Sequence, residues 1–275
     1  MATGAPTPQR QAVPVRHRPN IAEMTAPQIA EFRTALAKLQ KWTDDRGYQR
    51  WAGVHGLPGQ MYCDLAHGQP SFLPWHRAYL YRFERALRDT GHDVMLPWWD
   101  WTKTREVPAA YRETKRPDGK PNPMSSVRIN DLALQQGANA TRPRTRFLAG
   151  KPDTFRESGL PGTRLPTHAQ ITRVLGYHDF GRFTGNLEDY HGNVHIWAGG
   201  HMTDIPYAAY DPLFWAHHCM IDRLWRMWQL DNDQVSIPAS LRNQVMEPFH
   251  LTAGQVLDPT TLGYDYALSF AQVRP

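Results

Sequence analysis

Two histidines four residues apart, His191 and His195, are the feature that most restricts this 275-residue chain. On a helix, residues with this spacing lie on one face, one turn apart, so both rings can reach a single metal ion. Their neighbours Val194, Ile196 and Trp197 are apolar, which predicts a helix in or near the core. Buried imidazoles need polar partners, and a metal ion is one such partner. The pair therefore predicts part of a metal site inside a helical core.

A second helix carries the adjacent histidines His217 and His218 in an otherwise apolar stretch. Asp211 suits its N-cap position and Pro212 its first turn. Adjacent residues on a helix point roughly 100° apart, so the two rings are not expected to bind one metal ion together. One is expected to be a ligand and the other a hydrogen-bonded neighbour, which completes a three-histidine site. Periodicity leaves open which of the two is the ligand.

Three further histidines lie in the first third of the chain. His55 ends a predicted helix on its apolar face, His67 lies in a loop, and His76 begins the apolar stripe of the next helix. Each by itself is typical of a hydrogen-bonded core histidine. Three on consecutive elements, mirrored by three downstream, predict a second metal site.

The hydrophobic pattern predicts a mainly α fold, with a four-helix-bundle core that holds a dinuclear site and is wrapped by long irregular loops with little β structure. The predicted helices span 25–41, 43–55, 71–91, 187–198 and 211–230. We predict one domain over 1–275, with an N-terminal arm at 1–20 and a loop-rich insertion at 102–170 that is rich in Pro, Gly and Arg.

Composition excludes several classes of protein. The net charge is only +5, and the densest basic stretch, Arg142, Arg144 and Arg146, is typical of a solvated loop rather than a nucleic-acid surface. No apolar run is long enough to span a membrane. Residues 1–13 lack the apolar centre of a secretory signal, so we expect a cytoplasmic protein, with export by a helper left open. Two cysteines cannot make a disulfide framework.

The donor set restricts the metal. Neutral imidazole suits zinc, copper, iron and nickel. A zinc hydrolase motif would place Glu after His191, where this chain has Gly192. A di-iron bundle needs Glu-x-x-His on two helices and two further Glu. Glu188 and His191 fit one such pair, whereas Glu247 and His250 fit only formally because Pro248 lies between them. Copper is favoured, and di-iron stays as an alternative.

Two long runs resemble the copper signatures of tyrosinases, catechol oxidases and molluscan haemocyanins. Residues 67–77, HGQPSFLPWHR, are similar to the first-copper signature, and residues 211–225, DPLFWAHHCMIDRLW, to the second. The resemblance extends from Arg18-Pro19-Asn20 to Tyr264-Asp265-Tyr266, with 102–170 matching least. It implies two copper ions, O2 and phenolic substrates. The ligands it implies are His55, His67 and His76 for the first copper and His191, His195 and His218 for the second.

The resemblance also implies roles near the ligands. Glu188 is the candidate for a carboxylate that holds a water and acts as base, and the alternative is a helix-start Glu favoured by the helix dipole. Many tyrosinases have Asn where this chain has Gly192, which weakens the expectation of monophenol hydroxylation. Cys63 is a candidate for a thioether to His67, and a free buried thiol is the alternative. His217 would lie beside the ligands.

Two neighbouring segments carry weaker expectations. His201 is expected in a surface loop, although His201, Met202 and residues 203–210 could line the substrate entrance. Asp222 is placed one turn after His218 to orient a ligand ring, and Arg223 to pair with a carboxylate.

The favoured function is therefore oxidation of o-diphenols or o-aminophenols by O2, with ortho-hydroxylation of monophenols as an addition. Haemocyanin-like O2 binding is the alternative, and the absence of a covering domain after Tyr266 in this chain favours an open enzyme. A copper-delivery protein is an expected partner. Neither nucleic acid nor membrane is expected, and the oligomeric state stays open.

Overall fold

The computed structural model describes residues 14–232 and 237–267, and it is 52% helical with 6% strand. The helices are α1 (Ala26–Leu39), α2 (Tyr48–His55), α3 (Phe72–Asp89), α4 (Ala109–Arg112), α5 (Asp131–Ala138), α6 (Pro143–Ala149), α7 (His168–Leu175), α8 (Phe180–Ala198), α9 (Ile205–Ala208), α10 (Leu213–Asp231) and α11 (Ala239–Arg242). The strands are β1 (Arg16–Arg18), β2 (Val245–Met246), β3 (Leu251–Thr252) and β4 (Tyr264–Tyr266). The predicted mainly α fold is confirmed.

Four helices, α2, α3, α8 and α10, form the predicted core. Helix α3 packs on α10 and α8, and α8 also contacts α10. Aromatic side chains join α2 to this group, because Tyr48 lies edge-on to Phe83 of α3 and to Trp215 of α10. Phe83 and Trp215 stack at a ring-centroid distance of 3.4 Å. All four helices therefore share one aromatic core.

Two helix boundaries differ from prediction. Helix α2 begins at Tyr48 rather than near 43, and α8 begins at Phe180 rather than near 187. The first turns of α8 contain weak helix formers, Thr184 and two glycines, that hid it in the sequence. Burial compensates for that propensity, since Phe183 stacks on Trp228 of α10 at 4.5 Å. Tertiary packing therefore decided where α8 starts.

Residues 102–170 are not only loops, as predicted, because α4, α5 and α6 lie within them. These helices have four to eight residues, too short for a 3.6-residue stripe to show in the sequence. Arg156 lies in the irregular segment between α6 and α7 and binds this segment to the start of α10. It donates to Asp211 Oδ1 from Nε (2.9 Å) and to the carbonyl oxygen of Tyr111 (2.8 Å). Asp211 Oδ1 also accepts from the backbone N–H of Leu213. Because α10 begins at Leu213 with Pro212 as its N-cap, the prediction that Asp211 is the N-cap is wrong by one residue.

Part of the segment expected to be an arm is paired with the end of the described chain. Strand β1 runs parallel to β4, with Arg16 opposite Tyr264 and Arg18 opposite Tyr266. Arg18 is completely buried. This pairing joins the two ends of the described fold, and Arg18 links it to α3 through Glu84 and to α10 through Asp222. None of the described helices is long and apolar enough to cross a membrane.

Candidate metal centre

The structure brings all six predicted histidines to one place. His55 lies at the end of α2, His67 after a 3₁₀ turn, His76 in α3, His191 and His195 in α8, and His218 in α10. Ring centroids in the first group, His55, His67 and His76, are 5.3–5.8 Å apart. Those in the second group, His191, His195 and His218, are 4.5–5.5 Å apart. The groups face each other, since the rings of His76 and His218 are 4.5 Å apart.

Backbone carbonyls set the orientation of three of these rings. Nδ1 of His55 donates to the carbonyl oxygen of Ile205 at 3.2 Å, and Nδ1 of His195 to that of Met202 at 2.8 Å. Nδ1 of His76 donates to the carbonyl oxygen of Phe72, one turn earlier in α3, at 2.8 Å. With the proton held on Nδ1, each Nε2 presents a lone pair. Outer hydrogen bonds of this kind orient metal-ligating histidines.

Burial keeps the rings neutral. Desolvation lowers the pKa of His55, His76, His191 and His218 well below the ordinary histidine value, with neighbouring imidazoles adding to the effect. Desolvation lowers the pKa of His195 to about 4. Neutral imidazole is the form that binds a metal ion. At neutral pH these five rings are therefore ready to act as ligands.

The free nitrogens fit a metal ion better than they fit one another. Nε2 of His218 lies 3.2 Å from Nε2 of His191 and 3.3 Å from Nε2 of His195. Nε2 atoms of His55, His67 and His76 are buried without a hydrogen-bond partner. Converging lone pairs in a buried site are costly unless a cation lies between them. The donors are imidazoles, which suits copper.

Cys63 and His217 adjoin the two groups. The Sγ of Cys63 and ligand nitrogens of His55 and His67 lie within 4.8 Å of one another. The thiol is buried, and burial raises its pKa. The ring of His217 lies parallel to that of His191 at 5.2 Å, and both of its nitrogens lack partners. The thioether between Cys63 and His67 stays a prediction, and so does the choice of His218 over His217.

An open cavity of about 250 Å³ gives access to the histidines. It is lined by His55, His67, Glu188, His191, Gly192, His195, Ile196, Met202, Thr203, Ile205 and Ala208. Ile196, with 53% of its surface exposed, marks the open side. A cavity of roughly 150 Å³ is enough to hold benzene, so a substituted phenyl ring fits here.

The loop after α8 forms one wall of this cavity through a tight turn. Gly199 and Gly200 have φ angles of 72° and 55°. A Cβ atom on Gly200 would lie 1.9 Å from the carbonyl oxygen of Phe155. Only glycine permits this conformation and this close approach together. The turn carries Met202 and Thr203 back to the cavity, as the sequence suggested for 202–210.

Glu188 lies in the middle of α8, so the alternative of a helix-start Glu favoured by the helix dipole is wrong. Its Oε1 accepts from the backbone N–H of Gly68 at 2.8 Å and lies 3.3 Å from Nδ1 of His67. The carboxylate therefore does for His67 what backbone carbonyls do for three other rings. It also lines the cavity.

We expect Glu188→Gln to weaken metal binding, because Gln cannot supply a charged acceptor for both Gly68 and His67. Loss of an outer partner of this kind typically costs about 10- to 100-fold in metal affinity or activity. A chelator titration of the copper-loaded protein measures the change. Asp189→Asn, which removes an exposed carboxylate from the next position, is the matched control. Equal affinities for the two variants would contradict this role.

Three sequence expectations around the site are wrong. His201 is completely buried rather than in a surface loop, and its Nδ1 accepts from the backbone N–H of Phe155. Asp222 orients no ligand ring, because its oxygens bind Arg18, Arg77, Tyr264 and Tyr266. Arg223 forms no ion pair with a described carboxylate, and its guanidinium lies 4.1 Å over the ring of Trp98. Helical spacing predicts which way a side chain points, but tertiary packing decides which residue it contacts.

Two groups remain to be placed: the histidines outside the site, and the backbone carbonyls that bind the ligand rings. The histidines outside the site are partly or fully exposed: His17, His92, His168, His178 and His250. The carbonyl groups of Ile205, Met202 and Phe72 were not predicted, since a backbone acceptor leaves no signature in residue type. Of these three contacts, only that of His76 with Phe72 joins residues of the same helix, four positions apart.

The segment that contains these ligands matches a known family. Residues 45–231, from just before α2 to the end of α10, match the sequence model described as the common central domain of tyrosinase. The chain belongs to the tyrosinase family. Members of this family, tyrosinases and hemocyanins, bind two copper ions, and the histidine groups of this chain are able to hold metal. The predicted family and the copper cofactor are confirmed.

The relatives include proteins named tyrosinase and proteins named hemocyanin. Tyrosinase of Streptomyces glaucescens is 31% identical over 77% of this chain and 82% of its own length. Tyrosinase of Streptomyces lincolnensis is 36% identical over 59% of this chain and 64% of its own. Hemocyanin G-type of Enteroctopus dofleini is 32% identical over 90% of this chain, which spans only 9% of that protein.

Solved structures show the same fold. A functional unit of octopus hemocyanin has a TM-score of 0.75 and 28% identity, covering 92% of this chain and 68% of the other. A mushroom tyrosinase has a TM-score of 0.77 at 19% identity, covering 96% and 92%. The second likeness concerns the fold alone. Because the chain is similar to both tyrosinases and hemocyanins, its activity has to be inferred from its own site.

Proposed function

We propose that this chain is a dicopper oxidase that uses O2 to convert o-diphenols or o-aminophenols to o-quinones or quinone imines. The observation that carries the proposal is the open cavity beside two facing groups of three histidines. In this proposal, one copper ion would be held by His55, His67 and His76, and the other by His191, His195 and His218. When bound, the copper pair supplies a reversible electron acceptor that exchanges electrons between the aromatic ring and O2.

The protein residues bind, orient and deprotonate the substrate. Ile196, Ile205 and Ala208 offer apolar contacts to an aromatic ring, while the histidine end of the cavity receives its hydroxyl groups. Glu188 lies at that end and is placed to accept a phenolic proton. Two o-diphenols release four electrons and four protons, which together reduce one O2 to two waters.

Reversible O2 binding is the second candidate, favoured by the 28% identity with a functional unit of octopus hemocyanin. The two functions differ in whether a phenol reaches the site, and the cavity supports access. A di-iron site is not supported, because Glu188 is the single carboxylate in the described cavity lining, whereas a di-iron bundle site uses four.

Turnover of the copper-loaded protein tests the proposal. We expect O2 uptake with 4-methylcatechol and with o-aminophenol, dependent on about two bound copper ions per chain. Protein that binds copper and O2 reversibly but consumes no O2 with either substrate would be a carrier. Protein that binds no copper would contradict the site itself.

The glycine at position 192 predicts how fast monophenols are turned over relative to diphenols. We expect diphenols to be oxidised much faster than monophenols, because no Asn amide follows His191 to help Glu188 hold a water. Apart from the adjacent residues and backbone of α8, no atom of the described residues lies within 4 Å of a Cβ placed on Gly192, so larger side chains fit there. Gly192→Asn is expected to raise the ratio of monophenol to diphenol turnover, measured with tyrosol and 4-methylcatechol. Gly192→Ala is the control, and equal native turnover of both substrates would refute the prediction.

A further inference from the structure

An arginine from the irregular insertion lies at the rim of the cavity. Nε of Arg144, in α6, donates to Thr203 Oγ1 at 3.2 Å, and its Nη2 donates to the carbonyl oxygen of Gly200 at 3.0 Å. Thr203 belongs to the cavity wall and is partly exposed, and Ile196, which also lines the cavity, is exposed. The Arg144 guanidinium is therefore one hydrogen bond away from the open side of the cavity.

The charge of Arg144 is available to a ligand. Its side chain is exposed and forms no ion pair with a carboxylate in the described part of the chain. The nearby Asp204 is buried and its Oδ1 accepts from Thr145; burial raises the pKa of Asp204 on balance, while the hydrogen bond from Thr145 and the charges of Arg142 and Arg144 act to lower it. Glu188, the acidic lining residue, is held at the other end by Gly68 and His67. Arg142, also exposed, adds a second positive charge near this rim.

We propose that Arg144 selects substrates that carry a carboxylate on the side of the ring opposite the reacting hydroxyl groups. This inference rests on the proposed oxidase function and names its substrate class. The reacting end must reach the imidazoles, so a substituent across the ring points to the open side, where Thr203 and Arg144 lie. A guanidinium is always charged and matches a carboxylate with two parallel hydrogen bonds.

Matched substrates test the assignment. In the copper-loaded protein, kcat/KM is measured for 3,4-dihydroxyphenylacetate, 4-methylcatechol and dopamine, which carry negative, no and positive charge. Arg144→Gln is expected to lower kcat/KM about fivefold for the carboxylate, mainly through KM, as expected for a partly exposed ion pair worth ~1 kcal/mol. It is expected to leave 4-methylcatechol unchanged and to favour dopamine slightly.

Two variants and one salt series serve as controls. Arg146→Gln removes an exposed charge about 200° around the same helix and is expected to change none of the three substrates. Arg144→Lys, which keeps the charge without the planar fork, is expected to restore part of the preference. High salt is expected to shrink the difference between the native protein and Arg144→Gln, because it screens an exposed charge pair.

A binding measurement separates this inference from the proposed function. Zinc, which imidazole also binds, replaces copper, and dissociation constants for the same three ligands are measured without oxidation. Weaker binding of the carboxylate alone in Arg144→Gln supports the inference even if the copper protein oxidises nothing. An equal change for all three ligands, or no change for any, overturns it.

Discussion

His195→Ala is expected to reduce bound copper from about two ions per chain to about one and to abolish phenol oxidation. His195 occupies the face of α8 that it shares with His191, and its Nε2 lies 3.3 Å from that of His218. Without it, two imidazoles of the second group remain. Loss of outer partners of metal ligands costs about 10- to 100-fold, so loss of a ligand is expected to cost at least about 100-fold in kcat/KM.

Metal analysis and O2 uptake measure this effect, and circular dichroism shows whether the variant is folded. His17→Ala removes an exposed histidine of β1 and is the control, with two copper ions and native turnover expected. Retention of two tightly bound copper ions by His195→Ala would show that His217, which lies in the same four-histidine group, supplies the ligand instead.

Asp222→Asn is expected to lower the free energy of unfolding by about 3–5 kcal/mol, the cost of breaking a buried ion pair. Asp222 Oδ1 accepts from Arg77 Nε at 2.5 Å, and Oδ2 accepts from Arg18 Nη1 at 3.1 Å. The Tyr264 and Tyr266 hydroxyls also donate to Oδ2, at 2.7 and 2.6 Å. Asn would leave two buried guanidiniums with less compensating charge and turn one acceptor into a donor.

The loss is expected to lower the melting temperature by roughly 10 °C for a chain of this size. Asp131→Asn, at a side chain that is 90% exposed, is the control and is expected to leave the melting temperature unchanged. The effect reaches beyond α10, since the network joins α3 to β1 and β4. A native melting temperature in Asp222→Asn would mean that the tyrosine hydroxyls and Glu84 compensate for the lost charge.

Burial by itself would raise the pKa of Asp222, but the charges of Arg77 and Arg18 and the hydroxyl donors hold that pKa below the ordinary aspartate value. Asp222 is therefore charged at neutral pH. Asp222 does lie one turn after His218, but two arginines from other elements occupy both of its oxygens, so it is not free to orient a ligand ring.

Much of the site was readable in the sequence because helical periodicity is local. The spacing of His191 and His195, the apolar stripe that begins at His76, and the apolar helix around His218 each require only the geometry of one helix. The same pattern located the four core helices. Donor type only favoured copper, since imidazole also suits zinc, iron and nickel, and the resemblance of residues 67–77 and 211–225 to copper signatures supplied the rest.

Other features depend on chain segments that are far apart. The start of α8 follows from the packing of Phe183 on Trp228, and the short helices of residues 102–170 depend on contacts with the core rather than on a stripe. His201 looked like a loop residue until the turn at Gly199 and Gly200 placed it inside. Local propensity differs by tenths of a kcal/mol per residue, and tertiary burial outweighs it.

Residue type and spacing were enough to predict the helical core and the residues that share a face of each helix, and the resemblance of residues 67–77 and 211–225 to known signatures was enough to predict the family and its copper. Other contacts became visible only in the folded protein: the carbonyls of Ile205 and Met202 and the carboxylate of Glu188 orient their rings, and Arg144 reaches the cavity rim. Each of these contacts joins residues from different segments, and no local pattern records which segments will meet.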